Sequence, residues 1–103
     1  MKGFVFIDNE EIGFANFKNI DESMGVIGGN FFANENYTKF KKDIQKLTNK
    51  YGNANSVNYN FKVLLNGIEL NPFGGISFVD SEEFNEMYLD VAGLDGNIIE
   101  KMK

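Results

Sequence analysis

Residues 57–65 alternate apolar and polar side chains, and the dipeptide Asn66-Gly67 follows directly. In a β-strand, such alternation places every second side chain on the same face. Asn-Gly is the strongest short signal for a two-residue hairpin turn, because both residues tolerate positive φ. The segment therefore predicts a half-buried strand that turns at residues 66–67 and returns through residues 68–70. The face expected to be buried consists of Val57, Tyr59, Phe61, Val63 and Leu65.

The helical period occurs in residues 34–52. Apolar side chains recur there at spacings of three and four, at Tyr37, Phe40, Ile44, Leu47 and Tyr51. This spacing forms one face of an α-helix. Asn34 can cap the start of the helix and Gly52 can end it in the left-handed conformation. The pattern predicts an amphipathic helix at about 35–51 whose lysines form a solvated face.

The remaining segments favour further antiparallel strands. Residues 3–8 and 12–17 predict a hairpin around the turn 8–11, and glycines at 25, 28 and 29 predict a loop before a short strand at 30–32. Strands are also expected at 76–79 and 84–94, with a tight turn and a short strand at the end. The predicted fold class is α+β: a twisted antiparallel sheet of about six strands with one main amphipathic helix (about 35–51) packed on one face. Residues 1–103 are predicted to form a single small globular domain.

Four residue types are absent: cysteine, histidine, arginine and tryptophan. Without cysteine there are no disulfides or thiolate zinc sites, and without histidine there are no serine triads or Cys-His dyads. Without arginine there are no bidentate clamps for phosphate. These absences predict a protein that is not an enzyme, needs no cofactor and does not bind nucleic acid directly.

Two further absences concern location. No apolar run approaches the roughly 20 residues that span a bilayer. The N-terminal residues also lack the pattern of a signal peptide. The sequence therefore predicts a cytoplasmic protein without a membrane partner.

Charge is distributed unevenly along the chain. Residues 63–100 contain eight acidic residues and no basic one, whereas residues 34–62 contain six lysines and two acidic residues. The densest acidic group is formed by Asp80, Glu82, Glu83, Glu86 and Asp90. Calcium binding would need oxygen ligands at the spacing of a calcium loop, and the segment lacks that spacing and its glycine, so no metal site is predicted. A glycosidase-type carboxylate pair would lack a tryptophan platform for the sugar.

Two interpretations of the acidic group remain open. It can attract a basic partner surface by its electric field, or it can serve only as a charged edge that keeps the protein soluble. Phe73 lies between Pro72 and two glycines, where it can be held outward as an aromatic anchor or fold back over the core. Tyr88 is the second anchor candidate. The predicted partner-binding set is Asp80, Glu82, Glu83, Glu86, Asp90, Phe73 and Tyr88.

The functional hypothesis is a non-enzymatic protein-binding module. Its most concrete form is a small acidic inhibitor or immunity-type protein of bacterial or phage origin, which occludes a basic surface on a toxin or nuclease-like partner. One alternative is a structural or assembly subunit that forms a homodimer through a sheet edge. Another is a small-molecule-binding α+β domain with its ligand between helix and sheet.

Overall fold

The computed structural model describes residues 1–101, which form one antiparallel sheet and two helices. The strands are β1 (Lys2–Ile7), β2 (Glu10–Asp21), β3 (Val26–Ala33), β4 (Ala54–Asn55), β5 (Phe61–Leu65), β6 (Ile68–Glu69), β7 (Gly75–Ser81) and β8 (Glu86–Ala92). A 3₁₀ turn (Glu35–Tyr37) leads into α1 (Thr38–Tyr51), and α2 (Gly96–Lys101) ends the described chain. The order of strands in the sheet is β4-β7-β8-β3-β2-β1-β5-β6.

The sheet curls into a half-barrel. Phe78 of β7 and Phe61 of β5 are five strands apart in the sheet. In a flat sheet, five spacings of about 4.8 Å would separate them by roughly 24 Å. Their rings instead stack with centroids 5.5 Å apart. The apolar side chains on the concave side therefore form one shared core across opposite ends of the sheet.

Glycines inside the strands make room for large rings in this core. A Cβ atom on Gly3 would lie 2.6 Å from the ring of Phe17, and one on Gly13 would lie 2.7 Å from the ring of Phe31. Gly29 is paired with Phe17 across β2 and β3. Glycine within a strand often marks such a close approach. The prediction of a glycine bend, bulge or loop at 25–29 was right for Gly25, which lies in the turn before β3 with φ 66°. It was wrong for Gly28 and Gly29, which lie within β3, where a Cβ would collide with the Tyr88 side chain and with the Asn16 carbonyl.

The predicted fold class was wrong in the number of strands and in the position of the helix. There are eight strands instead of about six. β4 was not predicted, because it has only two residues and is too short to show alternation. β6 is the predicted return strand of the 66–67 hairpin, although it has only two residues. The helix does not lie across one face of an open sheet. Its contacts with the sheet are concentrated on β7 and β4, at one end of the strand order.

The predicted helix is confirmed, although the side of it that is buried is turned slightly from the predicted apolar face. Asn34 caps the 3₁₀ turn through its side-chain oxygen, and Gly52 ends α1 with φ 88°. Tyr37, Ile44 and Thr48 are buried along one side. Tyr51, which was expected in the core, is 64% exposed.

Two local predictions also need correction. The strand expected at 57–65 begins only at Phe61. Val57 lies instead in a turn, where its N–H donates to the side chain of Asn55. Its side chain is not in the core, since Val57 is 93% exposed. The final segment forms α2 instead of a strand, with the Asp95 carboxylate accepting from the N–H of Asn97. The Asn66-Gly67 hairpin is confirmed, and both residues have positive φ.

Replacement of Gly29 by alanine tests the close approach in β3. A Cβ atom there would overlap the backbone carbonyl of Asn16, which cannot move without disrupting the ladder. We expect Gly29→Ala to lower the free energy of unfolding by about 3 kcal/mol. Urea denaturation followed by circular dichroism measures this change. Gly96→Ala is the matched control, because a Cβ at Gly96 meets nothing within 4 Å; a Gly29→Ala variant as stable as this control would contradict the packing.

Candidate functional site

The β7–β8 hairpin carries most of the predicted site residues. Its turn is held by the N–H of Asn85, which donates to the carbonyl of Glu82, and by the N–H of Phe84, which donates to the Ser81 hydroxyl. Asn85 has φ 49°, a conformation that asparagine tolerates. We refer to residues 82–86 as the acidic turn. All five of its side chains are exposed.

Asp80 lies beneath the acidic turn and not on its surface. It is only 2% exposed, and its carboxylate points toward α1. One carboxylate oxygen accepts from the Tyr37 hydroxyl at 2.6 Å and lies 3.4 Å from the Lys41 ammonium. The other oxygen accepts from the Gln45 amide at 3.3 Å. The backbone N–H of Asp80 donates to the Thr48 hydroxyl at 3.1 Å.

Tyr37 of the 3₁₀ turn and three residues of α1 reach Asp80 because they lie on one side of the continuous helical segment. Positions 37, 41, 45 and 48 are spaced by four, four and three residues, which places them in line along the helix. The pKa of Tyr37 lies well above its ordinary value. Burial is the largest cause, and the hydrogen bond to Asp80 and the negative charge of Asp80 add to it. The tyrosine therefore stays protonated and continues to donate to the carboxylate across the neutral range.

Tyr88 and Asp90 lie on the outer face of β8, where they are half-buried. Their polar groups lie close together over Gly28, at which a Cβ would come within 2.4 Å of an Asp90 carboxylate oxygen and 2.5 Å of the Tyr88 hydroxyl. Burial raises the pKa of the Asp90 carboxyl, although the hydrogen bond from Tyr88 opposes this shift. Burial also raises the pKa of Tyr88, and the neighbouring Asp90 carboxylate adds to the rise.

Phe73 lies at the opposite end of the hairpin from the acidic turn. It is 100% exposed, and its backbone N–H donates to the carbonyl of Gly93 at 3.0 Å. The seven residues of β7 separate the two ends, a length of about 23 Å at the rise of a strand. The structure thus brings Glu82, Glu83 and Glu86 together, and it places Phe73 apart from them.

Sequence reasoning missed the aromatic side chain that lies among these acids. Phe84 is 73% exposed, and acidic residues precede and follow it in the same turn. The available signal was an apolar residue within a short polar segment between two strands. An exposed phenylalanine in a turn held by backbone hydrogen bonds is a rigid apolar contact point.

A small cleft separates the acidic turn from α1, and we refer to it as the turn cleft. It has a volume of about 220 Å³ and is lined by Lys41, Gln45, Asp80, Glu82, Asn85, Glu86 and Met87. The lining combines three carboxylates with one ammonium group. The cleft therefore has an acidic interior, and Lys41 supplies the only cationic group in its lining.

A larger hollow of about 650 Å³ lies at the open side of the half-barrel, between β5 and β7. Its lining mixes apolar groups such as Phe61 and Ile76 with polar and charged groups such as Asn60, Lys62 and Glu69. It is not situated between helix and sheet, where the small-molecule hypothesis expected a ligand.

Comparison with protein-family models, curated protein sequences and solved structures finds no match for this chain. Within residues 1–101, no three His, Cys, Asp or Glu side chains are grouped so that they could hold a metal ion. Neither helix in this described part is long and apolar enough to cross a membrane. The chemistry of the hairpin surface is therefore the basis for any functional inference.

The buried Tyr37–Asp80 bond predicts a specific alkaline sensitivity. In the unfolded chain tyrosine releases its proton near pH 10, whereas folded Tyr37 retains it to higher pH. Unfolding therefore releases a proton, and this contribution to stability is complete below about pH 10 and is lost as the pH rises further. We expect Tyr37→Phe to lower the free energy of unfolding by about 1–3 kcal/mol at pH 7. Its stability should also decline less steeply above pH 10.

Urea denaturation between pH 7 and 11 measures both effects. Tyr51→Phe is the control, because Tyr51 is on the same helix and its side chain is largely exposed. This control should retain the wild-type decline above pH 10. If the free energy of unfolding of the wild type and of Tyr37→Phe declined equally steeply above pH 10, the role assigned to the buried hydroxyl would be contradicted.

Proposed function

We propose that this protein is a non-enzymatic, cytoplasmic protein-binding module that occludes a basic surface of a partner protein. Small acidic inhibitors and immunity-type proteins act in this way, and a toxin or nuclease-like partner has the required lysine- and arginine-rich surface. The observation that carries the proposal is the acidic turn, in which Glu82, Glu83 and Glu86 are exposed together with the ring of Phe84.

Charge and ring have separate roles in this proposal. Residues 63–100 contain eight acidic residues and no basic one, so the field around the turn attracts a basic surface and speeds encounter. The Phe84 ring then loses water against the partner and lengthens the residence time. Together they account for an apolar residue that is exposed among carboxylates.

The base of the turn supports the proposal because it is ordered before binding. β7 and β8 are paired along their full lengths, from Gly75 with Ala92 to Ser81 with Glu86. Directly below the turn, the Asp80 backbone N–H is bonded to Thr48 of α1, and its carboxylate is bonded to Tyr37 of the 3₁₀ turn. A preorganised surface loses little conformational entropy on association.

Self-association through a sheet edge receives less support from the contacts of β7. Ile76 exchanges bonds with Ser56, since its N–H donates to the Ser56 hydroxyl at 2.9 Å and its carbonyl accepts from the Ser56 N–H at 3.1 Å. Phe78 is paired with Ala54 of β4, and the N–H of Asp80 donates to Thr48. These contacts occupy the β7 side of the sheet. The opposite edge is β6, which offers only the two residues Ile68–Glu69 to an added strand.

Charge reversal tests the proposed surface. We expect Glu82→Lys/Glu83→Lys/Glu86→Lys to slow association with the partner by about tenfold to a hundredfold at low salt and to weaken its salt dependence. The matched control is Glu11→Lys/Glu35→Lys/Glu69→Lys, which has the same net charge and changes acids that are exposed elsewhere. The wild type and both variants are immobilised, and lysate of the source organism is applied and eluted with salt. Association rates are then measured with the purified partner.

The expected partner is one basic protein that binds at one-to-one stoichiometry to the wild type and to the control. Unchanged association at low salt in the turn variant would contradict the proposal. Equal loss in the control would show that net charge, and not the acidic turn, governs retention.

Truncation of Phe84 tests the anchor. We expect Phe84→Ala to increase the dissociation rate of the same complex by about tenfold, with a small effect on association. Phe73→Ala is the matched control, because that ring is fully exposed at the other end of the hairpin. If Phe73→Ala has the larger effect, the interface lies at the Phe73 end and the assignment of Phe84 is wrong.

A further inference from the structure

The outer face of the sheet carries a row of apolar side chains that crosses four neighbouring strands. Phe4 of β1 is in register with Leu64 of β5 on one side and with Phe14 of β2 on the other. Phe14 is in turn in register with Phe32 of β3. Phe4 is 39% exposed and Phe32 is 46% exposed, while Phe14 and Leu64 are partly buried. We refer to these four residues as the outer row.

The rings of the outer row are held in a fixed arrangement. Those of Phe14 and Phe32 stack with centroids 5.1 Å apart. The Lys2 ammonium lies 4.2 Å from the centre of the Phe14 ring and 5.3 Å from that of Phe4. Phe6 extends the apolar surface by one further outward position along β1. A contiguous apolar patch of this kind at a protein surface marks a site of association.

We infer that the outer row is the contact surface of a homodimer, in which two copies pack face to face about a two-fold axis parallel to β1. Two sheets can pack in this way through apolar side chains, about 10 Å apart. A two-fold axis makes the same surface serve both copies. With the axis along β1, Phe4 meets Phe4 of the second copy, and Leu64 meets Phe14 of the second copy. The face of the sheet, and not its edge, makes this contact.

The charges beside the row are complementary under the same axis. Phe6 is in register with Lys62 of β5 and with Glu11 of β2, so these two charges lie on opposite sides of β1. The two-fold axis exchanges the two sides. It therefore places Lys62 of each copy opposite Glu11 of the other. Opposite charges that face each other across an interface favour one register of the two surfaces.

The balance of charge also selects a second copy as the occupant. The chain has a net charge of −5, with eight acidic residues and no basic one at 63–100, so most approaches of two copies are repulsive. Beside the outer row, Lys2 and Lys62 balance Glu11 and Glu69, the last of which is in register with Leu64. Two copies meet there without net repulsion. Nucleic acid or an anionic membrane would require an excess of lysine at this face.

The size of the face determines the strength of the dimer. Four strands about 4.8 Å apart, each with three successive outward residues, cover roughly 19 by 20 Å. Two such faces bury roughly 800 Å² in total, which lies below the roughly 1,200–2,000 Å² of stable interfaces. The dimer is therefore weak and forms only as the protein concentration rises. We expect a dissociation constant between about 10 μM and 1 mM.

Sedimentation equilibrium of the full chain, from about 10 μM to 2 mM, tests the dimer. The wild type should show a reversible monomer–dimer equilibrium. Phe32→Ser should raise the dissociation constant at least about tenfold, because it removes an exposed ring of the row. Phe84→Ser is the matched control, since that ring is 73% exposed but lies in the acidic turn. A wild type that stays monomeric, or a dimer that Phe32→Ser does not weaken more than Phe84→Ser, would overturn the inference.

Three charge variants test the two-fold arrangement without removing a ring. Lys62→Glu should weaken the dimer at least about tenfold, because it places acidic side chains opposite each other. Lys46→Glu has the same net charge and changes an exposed lysine of α1, so it should leave the dimer close to wild type. Lys62→Glu/Glu11→Lys exchanges the facing charges and should restore dimerisation. Equal dimerisation of Lys62→Glu and Lys46→Glu, or no recovery in the exchange variant, would contradict the inference.

Discussion

The buried carboxylate of Asp80 is the interaction on which the arrangement of helix and sheet depends. It connects β7 to the 3₁₀ turn through the Tyr37 hydroxyl, and its backbone N–H is bonded to Thr48 of α1. A buried carboxylate without such partners would be strongly destabilising. The helix is therefore held at the end of the sheet that β7 and β4 form, where it also protects the edge. The same contacts hold the base of the acidic turn in place.

Curvature is the second constraint, and it comes from the pairing of glycines with large rings. Gly3 and Gly13 lie under the rings of Phe17 and Phe31, which allows the strands to bend around them. The stacked rings of Phe61 and Phe78 then join the two halves of the core. The large rings on the concave side therefore belong to the core, and the acidic turn lies outside it.

A single run of acids is divided between these two environments. Asp80 is the next-to-last residue of β7, and its side chain points to the concave side. Glu82, Glu83 and Glu86 instead lie where the chain reverses. The buried acid organises the helix, and the exposed acids create the negative field on which the proposed binding of a basic surface depends. The turn cleft lies at the boundary, where the Lys41 ammonium is the only cation in its lining.

Features governed by neighbouring residues were determined by the sequence itself. Asn66-Gly67 specifies its turn because both residues accept positive φ, and Asn34 and Gly52 delimit the helix because they satisfy its terminal backbone groups. The missing residue types likewise limit the available chemistry in any fold. Tertiary structure alone decided the curl, the short strand β4, the rotation of α1 and the burial of Asp80. Each of these depends on contacts between residues far apart in the chain, such as Phe61 with Phe78 and Tyr37 with Asp80, and local periodicity carries no information about which distant side chains will meet.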